Sequence, residues 1–255
     1  MIDILSTFNS IVNEMSNVVV VEYDESTGKS FTCNTKWARP LKHVVDVNDM
    51  VYKVTEVVPN VYIKAEPVGH ENVLDGAVFL PNPFALLGTQ IATNMEWQRT
   101  SNDIRQKTPF IWLLDTITYT QNGAESSIEY DVPLRIFFLD ETNSVNFKTK
   151  DHQENVVQPM NALINEFLRV VNTKPIFKKI RNAQRKTFSR FGSENAQGTF
   201  KNILDADFSG VELRINLVKY KEGCASSCNG NLFEYIVDGG GANTDFFGTI
   251  DGGQL

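Results

Sequence analysis

Two apolar runs limit what this chain can become. "FIWLL" (110–114) and "LRIFFL" (134–139) are short, almost uninterrupted and rich in aromatic and branched side chains. Runs of this length and texture fit central, well-buried strands. They belong to longer segments, 109–119 and 127–142, joined by "TQNGAES", and the Asn122-Gly123 pair suits the tight turn of a hairpin. A third strand, 208–220, alternates Val211, Leu213, Ile215 and Leu217 with Glu212, Arg214 and Asn216, the pattern of a half-buried antiparallel strand.

Helical spacing appears in three places. Ile4, Leu5, Phe8, Ile11, Val12 and Met15 form one stripe, predicting a short amphipathic helix within residues 1–16. Leu86, Leu87, Ile91, Met95 and Trp97 suggest another between Phe84 and Asn102. The strongest carries Val156, Met160, Leu163, Ile164, Phe167 and Val171 on one face, with Pro159 opening or kinking its first turn. Residues 17–80 read as a small β module of two hairpins. The first is "VVVVEY", "DESTGKS", "FTCNT"; the second turns at Pro59-Asn60. The chain thus divides into a helix (1–16), a β module (17–80), a larger α+β unit with a mostly antiparallel sheet and packed helices (81–222), and a Gly-rich C-terminal arm (223–255).

With 255 residues, 42% of them hydrophobic, the chain can bury an ordinary core. Met1 to Met15 lacks the basic leader of a signal peptide, and no segment approaches the ~20 apolar residues of a membrane span, so a soluble protein is expected. Cys33, Cys224 and Cys228 are too few, and odd in number, for a disulfide framework, which fits a reducing compartment.

The formal net charge is -7, yet "KPIFKKIRNAQRKTFSR" (174–190) carries seven cations and no acid: Lys174, Lys178, Lys179, Arg181, Arg185, Lys186 and Arg190. The rest of the chain therefore sums to -14, and a broad nucleic-acid surface is not expected. Phe177, Phe188 and Phe191 interleave with the charges and favour a packed interface over a solvated loop.

Motifs for phosphate loops, dinucleotide folds, hydrolase nucleophiles and zinc proteases are absent. His43, His70 and His152 lack metal-ligand spacing, "CASSC" (224–228) lacks two further ligands, and the aspartates Asp238, Asp245 and Asp251 miss the calcium-repeat order. No metal or cofactor is expected. Phe246, Phe247, Ile250 and Leu255, set among glycines, read as apolar anchors of an arm that orders against a neighbour.

From Phe84 to Tyr220 the order is helix, "TPFIWLLD", a turn, "DVPLRIFFLDET", the helix "NVVQPMNALINEFLRVV", a basic irregular segment and "GVELRINLV". This order resembles the tail terminator and neck-ring (connector) proteins of tailed bacteriophages, over just more than half the chain. The resemblance implies a non-enzymatic virion protein, made in the host cytoplasm. It would build a six-fold or twelve-fold homo-oligomeric ring between portal or connector and tail, contact neighbouring ring proteins, and leave a channel for double-stranded DNA without touching a membrane. Repeated around an axis, the basic segment would become a collar of roughly forty to eighty charges, facing either DNA phosphates or the acidic surface of a neighbour. The rival readings are a non-specific nucleic-acid binder using 174–190, and an enzyme using Asp115, Asp131 and Asp140 near strand ends.

Overall fold

The computed structural model describes residues 4–99, 107–115, 117–123, 129–142, 147–194, 200–202, 204 and 207–220. Mixed α+β architecture with sheets dominating is what it shows. After helix α1 (Ile4–Asn13), six strands close a barrel: β1 (Val18–Asp24), β2 (Lys29–Phe31), β3 (His43–Asp46), β4 (Val51–Val58), β5 (Tyr62–Pro67) and β6 (Gly76–Phe79). Every pair is antiparallel, and the order around the barrel is β1-β2-β5-β4-β3-β6. Closure leaves no free edge. Both expected hairpins are present, with Asn60 at φ +57°, a left-handed conformation that asparagine tolerates at a turn. Strands β3 and β6, which the sequence reading did not pick out, complete the closure. Val19, Val21, Val44, Val54, Ile63 and Val78 fill the interior, and the Tyr52 hydroxyl shares its proton between the Asp46 carboxylate at 3.2 Å and the Val73 carbonyl oxygen at 3.1 Å.

The second sheet has the order β11-β14-β10-β8-β7, where β7 is Phe84–Gly88, β8 Phe110–Leu114, β10 Glu129–Glu141, β11 Ala183–Phe188 and β14 Phe208–Tyr220. Short β9 (Thr120–Asn122) also pairs with β10, and β12 (Gly192–Glu194) with β13 (Phe200–Asn202). The helix expected over 84–102 is only half present. Phe84–Gly88 is a strand parallel to β8, and α2 (Gln90–Arg99) supplies the crossover that a parallel pair needs. Its predicted stripe is only partly buried: Trp97 is buried, together with Thr93, while Ile91 and Met95 are exposed. Leu86 and Leu87 had lent the stripe two apolar residues that belong to the strand.

Each face of this sheet carries a layer. On one, Ile111, Leu113, Leu134, Ile136, Phe138, Val211, Leu213 and Ile215 meet a helix running from α3 (Thr149–His152) through a π-helical turn (Gln153–Val157) into α4 (Gln158–Thr173). All six residues of the predicted stripe are buried; side chains of this kind contribute about 1.5–3 kcal/mol each on burial. Helix α1 lies against α4, with Phe8 and Phe167 6.3 Å apart. On the opposite face Trp97, Phe110, Trp112, Phe137, Phe191 and Phe208 form an aromatic cluster. Gly210 sits where β14 presses on β10: a Cβ there would meet the Phe138 carbonyl oxygen at 2.0 Å, so no larger residue fits without moving backbone.

A buried charge cluster ties the barrel to the sheet. Asp140, near the end of β10, faces Lys42 Nζ at 3.0 Å and Arg39 Nε at 3.2 Å, both from the loop before β3. Lys42 also donates to the Thr108 hydroxyl, and Arg39 Nη1 donates to the Glu141 carbonyl at 2.9 Å. Burial, helped by the Arg39 charge, lowers the Lys42 pKa from 10.5 against the pull of Asp140. Pro159 has no N–H to give the Asn155 carbonyl, and that oxygen instead faces Arg39 Nη1 at 3.5 Å. Asp140→Ala would leave two cations buried without their counter-charge. It is expected to cost about 3–5 kcal/mol in urea unfolding.

Candidate functional site

The basic segment is not a loop throughout: its second half is β11, the outermost strand on its side of the large sheet. Among the described residues one row of its backbone N–H and C=O groups has no partner strand, and charged side chains are a common guard against unwanted pairing. Ala183 to Thr187 are exposed, and Phe188 is half-buried.

The seven cations do not act as a block. Lys174 pairs with Glu14, just past the end of α1, Lys178 with Glu129 at 2.6 Å, and Arg190 approaches Asp207 at 3.8 Å. These contacts staple the segment to its own subunit. Arg185 points to the helical face of the sheet, where its guanidinium donates to the Asn161 and Asn165 side-chain oxygens at 3.0 and 2.7 Å. Partial burial lowers its pKa below the ordinary guanidinium value. Lys179, Arg181 and Lys186 are exposed, and among the described residues they form no ion pair; Lys186 Nζ lies 5.3 Å from the Phe188 ring centre. Phe177 and Phe191, expected at an interface, are buried in the chain's own core. Phe177 bridges to Lys219, and Phe191 packs on Trp112 and Phe137.

The register brings in residues that sequence reasoning passed over. Arg135 of β10 stands directly opposite Arg214 of β14, and Lys186 of β11 opposite Glu212 of β14. All four side chains share the face that also carries Phe137, because directly paired residues and those two apart point the same way. Glu212 Oε1 accepts from Arg135 Nε at 2.8 Å and from Arg214 Nε at 2.7 Å. The carboxylate is 2% exposed, while the two arginine side chains are 47% and 49% exposed. Alternation in the two strands could have revealed this face, had their pairing been known.

The other candidates are structural or lie apart. Asp131 and Asp140 are nine residues apart on one strand, which separates them by roughly 30 Å, and Asp140 is committed to Arg39 and Lys42. His152 is buried between the Thr142 and Ser209 hydroxyls, each 2.9 Å from Nδ1, and His70 stands edge-on to Tyr52. No group of three or more metal-binding side chains occurs among the described residues. Cys33 is a free, exposed thiol. The "CASSC" pair, Asp238, Asp245 and Asp251, and the anchors Phe246, Phe247, Ile250 and Leu255 lie outside the described residues. A groove of about 1090 Å³ runs between the barrel's 57–60 turn and α4, walled by Asn155, Gln158, Asn161 and Asn165 against Leu41, Val57 and Pro59. Among the described residues, no helix is long and apolar enough to cross a membrane.

Glu212 makes the site sensitive to acid. Burial, the largest influence, pushes its pKa up, but the hydrogen bonds and charges of Arg214 and Arg135 outweigh it and hold the carboxyl below its ordinary value of 4.5. A carboxyl with a depressed folded pKa contributes stability above its unfolded pKa and loses it as pH falls through the folded one. Thermal melts of Glu212→Gln should therefore show a shallower loss of stability than the parent below pH 4.5, and lower stability at pH 7.

Comparison of the chain with protein-family models, curated proteins and solved structures found no match.

Proposed function

We propose that the chain is a non-enzymatic structural protein of a tailed-phage virion, whose copies form a ring in the neck or tail between portal or connector and tail, with a channel for DNA. One observation carries the reading: among the described residues β11 is an open strand edge bearing cations, on a chain that is otherwise strongly acidic. Such an edge is suited to contact between subunits, where backbone groups and cations of one copy meet the acidic surface of the next.

The barrel wall supports the same reading. Val20 of β1, Phe31 of β2 and Phe79 of β6 are exposed on three neighbouring strands. Exposed apolar residues on adjacent strands of a barrel exterior are expected where a neighbouring protein covers them. In this arrangement the barrel makes outer or axial contacts, the large sheet forms the ring wall, and the arm clasps an adjacent chain through Phe246, Phe247, Ile250 and Leu255. With three cations in ion pairs within the subunit, the collar is smaller than the sequence suggested. Lys179, Arg181 and Lys186 give roughly eighteen open charges in a six-fold ring and thirty-six in a twelve-fold one.

Light scattering of the purified chain, with imaging of the same sample, tests the reading. A single species of six or twelve chain masses, seen as rings, is expected; a monomer that stays monomeric as concentration rises, and that no particle contains, overturns it. Deleting 239–255 should leave the melting temperature unchanged and abolish the closed species. Unimpaired assembly would rule out the clasp.

A further inference from the structure

We infer that the exposed part of the aromatic-cluster face of the large sheet, around Arg135 and Arg214, is a binding surface for the phosphodiester backbone of nucleic acid. The inference goes beyond the ring reading, because it requires only the sheet face and holds equally for a single subunit. It also differs from the basic segment read in the sequence, since two of its three cations lie outside 174–190.

The geometry is that of a prepared anion site. Each guanidinium is anchored through Nε to the sealed Glu212 carboxylate, at 2.8 and 2.7 Å, while about half of each arginine side chain remains open. Arg214 spends a second donor on Glu212 at 3.3 Å; among the described residues Arg135 spends none beyond Nε, which leaves its terminal N–H groups for a ligand. A guanidinium held in this way has already lost much of its rotamer freedom, which lowers the cost of binding. Arg135 is further held over the Phe137 ring, 5.7 Å from its centre.

Charge and shape select the ligand. Three cations face one buried carboxylate, so the patch is net positive although the chain is acidic overall. At physiological salt, charges more than about 8 Å away are largely screened, and the local excess decides what binds. Gln184, opposite Arg214, and Asn216, two residues along β14, are exposed on the same face and add amide donors of the kind found at phosphate contacts. The cations cross three neighbouring strands, β10, β14 and β11. A track of this kind suits a polymer with evenly spaced charges better than the irregular carboxylates of a protein surface. It contains no base-reading groove, so binding should be indifferent to sequence.

The test is binding of the full chain to a labelled 30-base-pair duplex and to an oligothymidine, with sodium poly-glutamate as the acidic-protein control. Three phosphate contacts predict that affinity for the duplex falls roughly 40-fold between 50 and 200 mM salt. Lys186→Gln removes no ion pair, so it should keep the parent melting temperature and reduce the loss to roughly 12-fold over the same range; adding Arg135→Gln should reduce it to roughly 4-fold, with Arg214 still holding Glu212. Arg135→Lys should retain the parent salt dependence. Absence of binding to either nucleic acid at 50 mM salt overturns the inference, as does an unchanged salt dependence in Lys186→Gln. Poly-glutamate binding as tight as the duplex would also overturn it and assign the face to an acidic protein.

Discussion

The thirteen-residue pairing of β10 with β14 fixes the larger half of this protein. Side chains on a strand alternate between faces, so a slip of one residue would exchange the two sides of the sheet. In the observed register Leu134, Ile136 and Phe138 lie beside Leu213, Ile215 and Val211 under α4, while Phe137 and Leu139 join the aromatic cluster on the other side. The same register sets Arg135 opposite Arg214 with Glu212 between them, and it delivers Asp140 to the barrel. Gly210 secures the register locally, because only a residue without a side chain can occupy that position against the Phe138 carbonyl. Hydrophobic layering, the cation-bearing face and the joint to the barrel thus share one cause.

Much of the fold could be read from periodicity. The opening helix, both barrel hairpins, the central strands and the buried stripe of α4 all stood out, because each buries one continuous face that leaves a period in the sequence. Failures came where two elements of different period abut. Leu86 and Leu87 belong to β7 and Ile91 to α2, yet together they imitate one helix; the crossover to β8 decides otherwise. Barrel closure was hidden for a related reason: β3 and β6 are only four residues long and show little alternation of their own.

The candidate surface was legible in part. The cation density of 174–190 was plain, but its outcome depended on partners distant in sequence: Glu14, Glu129 and Asp207 neutralise three of the cations, and Asn161 and Asn165 hold a fourth. Conversely, Arg214 looked like the ordinary polar half of an alternating strand, and Arg135 like a lone interruption in a buried apolar run. Only pairing 79 residues apart in sequence brings them together, and no local pattern announces that.

The joint between barrel and sheet has a consequence for how the two halves find each other. Apolar surfaces tolerate many relative rotations, since contact area changes little with angle. Arg39 does not, because its guanidinium must meet Asp140 and the Glu141 carbonyl while facing the one helical oxygen that Pro159 leaves without its usual donor. A proline that looks like a flaw in the helix therefore works as a keyway: its freed carbonyl gives the barrel's arginine a seat in the orientation that also brings the guanidinium to Asp140.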